Sequence, residues 1–341
     1  MIAPESSPYS PCVLCPRRCS VNRLAGAGGR CGESAALRLA SASIHRGEEP
    51  PIGGGGGSGA VFVTGCNLGC GFCQNYQISR DGMGRTVGPG EFIAIMLALQ
   101  DRGAENINIV TGTHAAAVIA CGLDLARDRG LKIPVLWNSS AYEDDAVLDL
   151  LRDRADVYLP DLKTLDPRLG TRFFGADDYP RVASAAILRM LDFRPELRWK
   201  DSADSPNRGA PAEGSVLAQG VIIRHLIIPG YLESTRQVIE WFHRHAQGRA
   251  LLSLMTQYTH CAGGRGEKSL SGAAPQRYLN RAEYERVMEW LTEYGIEDGF
   301  YQEPAPGQDW LPNFNRTNPF SSRLSLPVWH WTVPAPDKID P

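Results

Sequence analysis

Cys66, Cys70 and Cys73 stand in the run Thr64-Gly-Cys-Asn-Leu-Gly-Cys-Gly-Phe-Cys-Gln-Asn75, a C-x3-C-x2-C spacing that limits what this chain can build more than any other feature does. Three thiolates can hold three irons of a four-iron cluster, and a fourth cysteine is needed to close it. The fourth iron then keeps a position for another ligand, as an open catalytic zinc does. A structural zinc knot fits the spacing poorly, because zinc cysteines come as C-x2–4-C pairs. Residues 60–64 (Ala-Val-Phe-Val-Thr) read as a short apolar strand directly before the cysteines. Barrels and open parallel sheets build their sites on loops that leave a strand end.

The chain has 341 residues, enough for one barrel and a small addition, and 43% of them are hydrophobic. No run approaches the ~18 apolar residues of a membrane span. No basic region followed by an apolar stretch marks a secretion signal, so the expected location is cytoplasmic. A net charge of −3 argues against a nucleic-acid partner. In such a chain nine cysteines favour metal ligation over disulfides. Cys121, in an apolar stretch, is expected to be a small buried hydrophobe. Cys261 follows His260 in a Gly-rich loop.

Cys12, Cys15, Cys19 and Cys31 form a second set, C-x2-C-x3-C-x11-C, with Pro16 and Gly26–Gly29 supplying turns. Four thiolates close a tetrahedral site, so a structural zinc or a second four-iron cluster fits. Arg17, Arg18, Arg23 and Arg30 are expected to form a solvated basic edge around this knuckle.

After residues 53–59 (Gly-Gly-Gly-Gly-Gly-Ser-Gly), which read as a flexible joint or a tight loop, the chain alternates. Apolar strands are expected at 60–64, 107–111, 133–137, 156–159, 221–228 and 250–255. Helices are expected at 90–102, 114–129, 143–153, in the region up to 193, and at 233–246 and 281–294. Six strands alternating with helices mean βαβ units and a parallel sheet. Right-handed crossovers curl such units into a partial barrel. The expected fold is thus α/β: residues 1–52 a four-cysteine metal-binding segment, 53–316 a partial (β/α)6 barrel, and 317–341 an irregular tail. Residues 196–217, rich in Pro, Ser, Asp and Gly, read as a mobile insertion.

Groups just past the strand ends should converge on one mouth. They are Thr111, Thr113 and His114 after the second strand, Asn138, Ser139 and Ser140 after the third, and Asp161 and Lys163 after the fourth. Arg224 interrupts the fifth strand, Gln257 and Tyr258 end the sixth, and Gln302 and Glu303 follow a last apolar segment. Asn, Ser and Asp suit ribose hydroxyls, and Lys or Arg suits a carboxylate.

The cysteine spacing, with Phe72 before the third cysteine, resembles the radical S-adenosylmethionine (SAM) superfamily. Asp161-Leu-Lys163 and Arg224-His-Leu-Ile-Ile-Pro-Gly230 look like the pyruvate formate-lyase activating enzymes. Cys-x-Leu-Cys-Pro-Arg-x-Cys, Gly-Glu-Glu-Pro at 47–50, Cys73-Gln-Asn75 and Gln257-Tyr258 resemble a branch related to those activases. The resemblance implies the partial barrel, with Cys66, Cys70 and Cys73 as catalytic ligands of a [4Fe-4S] cluster. SAM would then contact Phe72, Asn75, Thr113, His114, Asn138, Ser140 and Asp161, with Lys163 and Arg224 on its carboxylate. Thr111-Gly-Thr-His114 replaces the activases' Gly-Gly-Glu, so the contact to SAM's amino group must be made differently.

By the same resemblance the activity is reductive cleavage of SAM to a 5′-deoxyadenosyl radical, an oxidoreductase chemistry. That radical would abstract hydrogen from a protein, a peptide or a small molecule, and activation of a glycyl-radical enzyme is one form of it. An electron donor such as flavodoxin or ferredoxin is implied as a partner. The competing expectation is a ferredoxin-like electron carrier without SAM chemistry; six βα units exceed what a carrier needs.

Overall fold

The computed structural model describes residues 7–200, 214–260, 274–297, 299–302 and 311–333. β1 (Arg38–His45) leads through the short α1 (Pro50–Gly53) to β2 (Ser58–Val63). α2 (Tyr76–Ser79), β3 (Arg85–Thr86) and α3 (Pro89–Asp101) follow. Strand and helix then alternate through β4 (Ile107–Val110), α4 (Ala116–Asp128), β5 (Val135–Ser139), α5 (Asp145–Leu151) and β6 (Val157–Pro160). Two helices, α6 (Pro167–Phe174) and α7 (Tyr179–Phe193), precede β7 (Arg198–Trp199) and β8 (Leu217–Leu226). α8 (Leu232–His245), β9 (Leu251–Met255), α9 (Arg281–Glu293), β10 (Gly299–Tyr301) and β11 (Ser325–His330) complete the order.

The sheet runs β10-β9-β8-β6-β5-β4-β2-β1-β11. Every neighbour pair from β2 through β10 is parallel. The six expected strands are present, and β10 adds a seventh beside β9. All six positions of β2 and all four of β4 are buried, as in a parallel sheet covered on both faces. The sheet stays open, with β10 at one edge and β11 at the other. It curls nonetheless: residues at or after β2, β4, β5, β6, β8, β9 and β10 line one cavity, which a flat sheet could not arrange.

Local chemistry sets the helix ends. Asp166 caps α6 by accepting the Arg168 N–H at 2.8 Å, Pro167 pre-sets its first turn, and Gly175 ends it at φ +59°. α9 starts with a capping box between Asn280 and Glu283.

The structure corrects three expectations and, for the glycine run, chooses between two. The tail holds β11, antiparallel to β1, because its Leu-Pro-Val-Trp segment finds a free strand edge there. The glycine run is a packed turn and not a joint: Gly54 and Gly57 have φ +47° and +88°, and a Cβ on Gly56 would stand 2.3 Å from the Gly103 carbonyl. Cys121 is exposed on α4, since the helix turns its other face to the core. Arg23 is buried and donates to the carbonyls of Glu33, Ser34 and His114 at 2.9, 2.7 and 2.7 Å, so it is no part of a solvated edge. Most of the expected insertion, residues 201–213, lies outside the described residues, as do Cys261 and Glu303; the flank Arg198–Trp199 pairs with β8. No helix among the described residues is long and apolar enough to cross a membrane.

Candidate active site

The loop after β2 turns on Gly65 and Gly69, at φ +90° and +72°, and brings Cys66, Cys70 and Cys73 to the wall of a cavity of about 280 Å³. The loop is fastened from several sides. Gly65 N–H donates to the Ile78 carbonyl (3.0 Å) and Gly71 N–H to the Phe173 carbonyl at the end of α6 (3.0 Å). The Asn67 side chain donates to the Tyr142 carbonyl at 2.7 Å. Phe72 is wedged edge-on against Phe173 and Phe174 (ring centroids 5.6 and 6.0 Å) and lies 5.9 Å from Tyr258.

The N-terminal segment grips the same loop from outside. The Arg17 guanidinium donates to the carbonyls of Asn67 (2.9 Å), Phe174 (2.8 Å) and Gly175 (2.6 Å). It thereby fills carbonyls that the end of α6 leaves open. Cys15 hydrogen-bonds the Asn67 side chain. Cys12, Cys15 and Cys31 lie within electrostatic reach of one another, and Cys19 accepts the Arg30 N–H at 3.2 Å.

The donor set fits an iron–sulfur cluster. Burial pushes the Cys66 thiol up; the neighbouring Cys73 adds to that, and the N–H groups of Gly69 and Leu68 aimed at its sulfur oppose it. Burial also raises Cys70, against the pull of the Lys163 ammonium. Thiols held in so dry a place become thiolates when a metal shares the charge. Among the described residues, no three His, Cys, Asp or Glu side chains gather as the ligands of a single ion would. A cluster asks for something else, thiols spread around a wall with each meeting its own iron.

Asn75, Asn138, Ser140, Asp161, Lys163 and Arg224 line the same cavity, with Gln257 and Gln302. Lys163 Nζ donates to Asp161 Oδ2 at 2.6 Å. Burial alone favours its neutral amine, but the Asp161 carboxylate, through charge and a hydrogen bond, more than offsets that and holds the lysine above its usual range. The buried Tyr179 ties two strand ends together: its hydroxyl donates toward the carbonyls of Asp161 (2.7 Å) and Ser140 (3.0 Å) and accepts the Lys163 N–H (3.0 Å).

Thr113 and His114 are absent from the cavity wall, which corrects their expected contact with SAM. Their short helical turn faces inward. The Thr113 hydroxyl donates to the buried Glu143 carboxylate at 2.8 Å, which also takes Trp137 Nε1–H (2.6 Å) and the Ser139 hydroxyl (3.1 Å). Burial raises the Glu143 carboxyl; these three donors act against that. His114 Nε2 bonds the Thr64 carbonyl at 2.7 Å, and burial lowers its pKa to about 4. Thr111 lines the wall instead, at φ +64°, a strained backbone for a β-branched residue.

Arg224 points into the cavity as expected but is already engaged. Its Nε donates to Glu49 Oε1 at 2.8 Å, and Nη2 bonds both Glu48 Oε2 and Glu49 Oε2. Ser253 adds a hydroxyl to Glu49 at 2.7 Å. A SAM carboxylate would have to displace these glutamates, so the expected role of Arg224 is corrected to holding them. Glu48, Glu49 and Ser253 are the residues that sequence reasoning missed. The available signal was Arg224 itself: a cation on an apolar strand needs a counter-charge, and Gly47-Glu-Glu-Pro50 held two acids side by side.

Residues 60–195 match the family model of the radical SAM superfamily. The chain carries a radical SAM domain over those residues, the domain of a superfamily whose members use a [4Fe-4S] cluster and SAM. It is 28% identical over 298 residues to an uncharacterized protein of Methanocaldococcus jannaschii, covering 85% of this chain and 76% of that one. Among solved structures, a radical SAM methyltransferase from Sphaerobacter thermophilus matches with a TM-score of 0.47 and 16% identity, over 72% of this chain and 66% of that one. Streptococcus suis SuiB bound to S-adenosylmethionine matches at 0.46 and 14%, over 70% of this chain. This chain spans about half of SuiB, 48% of its length.

Proposed function

We propose that this chain is a radical SAM enzyme whose cavity holds a [4Fe-4S] cluster on Cys66, Cys70 and Cys73, with SAM beside it. The observation that carries this is one cavity lined by all three thiols and by Asn138, Ser140, Asp161 and Lys163. When bound, the cluster and SAM supply a one-electron reductive cleavage that yields a 5′-deoxyadenosyl radical. The protein's own part is to bind, orient and keep dry. Asn138, Ser140 and Asp161 offer partners for ribose hydroxyls, and Lys163 offers a fixed cation for a carboxylate. The Phe72, Phe173, Phe174 and Tyr258 rings keep water from the loop.

The substrate that loses hydrogen is a protein, a peptide or a small molecule, and glycyl-radical activation is one case. Cys12, Cys15, Cys19 and Cys31 are assigned to a second metal site, a cluster before a zinc, because no three of these thiols gather as a single ion's ligands would. An acidic one-electron donor such as a flavodoxin or ferredoxin suits the exposed Arg18 and Arg30. Arg30 stands within electrostatic reach of both Cys19 and Cys66.

Anaerobic reconstitution followed by EPR tests the proposal. A reduced four-iron signal should change on adding SAM, and dithionite should release 5′-deoxyadenosine and methionine. A spectrum indifferent to saturating SAM would leave the ferredoxin-like carrier as the better description.

A further inference from the structure

The three thiols of the cluster loop are served by different groups. Cys66 Sγ accepts the Leu68 N–H at 3.3 Å, and the Gly69 N–H is aimed at it as well. Those are backbone groups, which almost any residue would supply. Cys70 lies within electrostatic reach of the Lys163 ammonium. Cys73 is met by a side chain instead: the Ser79 hydroxyl stands 3.3 Å from its sulfur.

The fold builds that contact in. Ser79 ends α2, the short helix that follows the cluster loop. The Asn75 carbonyl accepts the N–H groups of Ile78 (3.1 Å) and Ser79 (2.9 Å). Gly65 N–H donates to the Ile78 carbonyl at 3.0 Å, so the last turn of α2 is tied to the residue just before Cys66. A serine in a helix commonly returns its hydroxyl to the carbonyl one turn back. Here that carbonyl, of Asn75, already takes two N–H groups, and the hydroxyl goes to the sulfur. Ser79 is only 9% exposed and is absent from the cavity wall that Cys73 lines, so water competes little for its hydroxyl.

We infer that Ser79 tunes the reduction potential of the cluster by donating a hydrogen bond to the Cys73 thiolate. Between neutral groups either atom could donate. A metal-bound cysteine has lost its proton, so only Ser79 then has a hydrogen to give. A donor on a ligand sulfur disperses negative charge, and reduction adds one more negative charge to the cluster. The bond is therefore stronger in the reduced state and raises the potential. Ser79 does not reach the cavity and acts through Cys73. The inference rests on Cys66, Cys70 and Cys73 holding the cluster.

An EPR-monitored redox titration of the anaerobically reconstituted full chain tests it, with iron and sulfide counted in every sample. Ser79→Ala should take up as much iron as the unmutated protein and move the midpoint to a more negative potential. The reduction equilibrium should fall severalfold to tenfold, a shift of up to about 59 mV for one electron. Ser79→Thr, which keeps a hydroxyl, should recover most of that shift. An unmoved midpoint in Ser79→Ala overturns the inference. An equal shift in Ser79→Thr does so too, because packing and not the hydroxyl would then be the cause. Loss of iron from Ser79→Ala, whatever the midpoint of the remainder, gives the serine a structural role and overturns it as well. If the unmutated protein forms a cluster that responds to SAM and the Ala midpoint stays put, this inference alone fails. If the unmutated protein forms no four-iron cluster, the radical SAM reading fails first and the inference falls with it.

Discussion

Two sets of cysteines lie back to back across one loop, and they are held in opposite ways. Cys66, Cys70 and Cys73 face a cavity, and what fixes them is apolar packing from within plus a few backbone bonds. Cys12, Cys15, Cys19 and Cys31 do not line that cavity. Their segment is fixed by arginine side chains, Arg17 on the loop and α6, and Arg23 on its own carbonyls and that of His114. The difference teaches that one residue type serves two ends: thiols with room in front of them for chemistry, and thiols enclosed by backbone for holding shape.

The largest expected effect attacks the cavity side. Replacing Cys66, Cys70 and Cys73 by Ala should reduce 5′-deoxyadenosine release to background, while Cys12→Ala with Cys15→Ala should lower stability and leave SAM binding in place. If the second variant folds normally and loses turnover only with a protein donor, both sets carry electrons and the contrast fails.

Next is Arg23→Met. It strips three carbonyls of their donor, those of Glu33 and His114 in buried bonds and that of Ser34 in a partly buried one, at about 1–3 kcal/mol for each buried group. Chemical denaturation should report a loss of about 3 kcal/mol or more, with Lys no substitute because it lacks the planar fork. A loss under about 1 kcal/mol would mean that water replaces the arginine freely.

Lys163→Met probes the cavity from its polar side. A charge-assisted hydrogen bond contributes about 1.5–3 kcal/mol, so SAM affinity should fall about ten- to a hundredfold. Calorimetric titration of the reconstituted variant measures it, and unaltered affinity would assign Lys163 to Asp161 alone.

The smallest effect concerns the seam between the regions. His114 bonds Thr64 before the cluster loop and offers its carbonyl to Arg23. Its pKa falls from 6.5 to about 4, through burial first and Arg23 second. A depressed histidine is neutral in the fold and takes up its proton on unfolding. Its contribution is therefore complete above about pH 6.5 and lost as pH falls toward 4. Between pH 7 and 5 the loss is about 2 kcal/mol from this group. His114→Gln should flatten the acid limb of the stability curve by that amount; an equal limb in both proteins would exclude His114 as the cause.

Much of the fold was legible because β2, β4, β5, β6, β8 and β9 are short apolar runs bounded by Gly, Pro and polar clusters. The three-residue β10 and the late β11 were not, since neither has a period long enough to read and each depends on a distant edge. At the site, Asn138, Ser140, Asp161 and Lys163 were found by one rule, the residues past a strand end. The same rule misplaced Thr113 and His114, because a short turn after Gly112 swings them under Trp137 and the Thr64 carbonyl. Glu48 and Glu49 escaped it altogether, for they precede a strand and reach the cavity from its start.

β1 pairs Ser41 with His330 on one side and Phe62 on the other. On the ribosome β1 and β2 emerge early, and β11 comes after every other strand of the sheet. Apart from the two residues that β3 covers, the outer edge of β1 therefore waits uncovered through nearly all of synthesis. An uncovered edge invites pairing with other chains. Production of this protein should thus be more sensitive to translation speed and chaperone supply than its folded stability suggests, and loss of β11 should be felt first as poor yield of soluble chain.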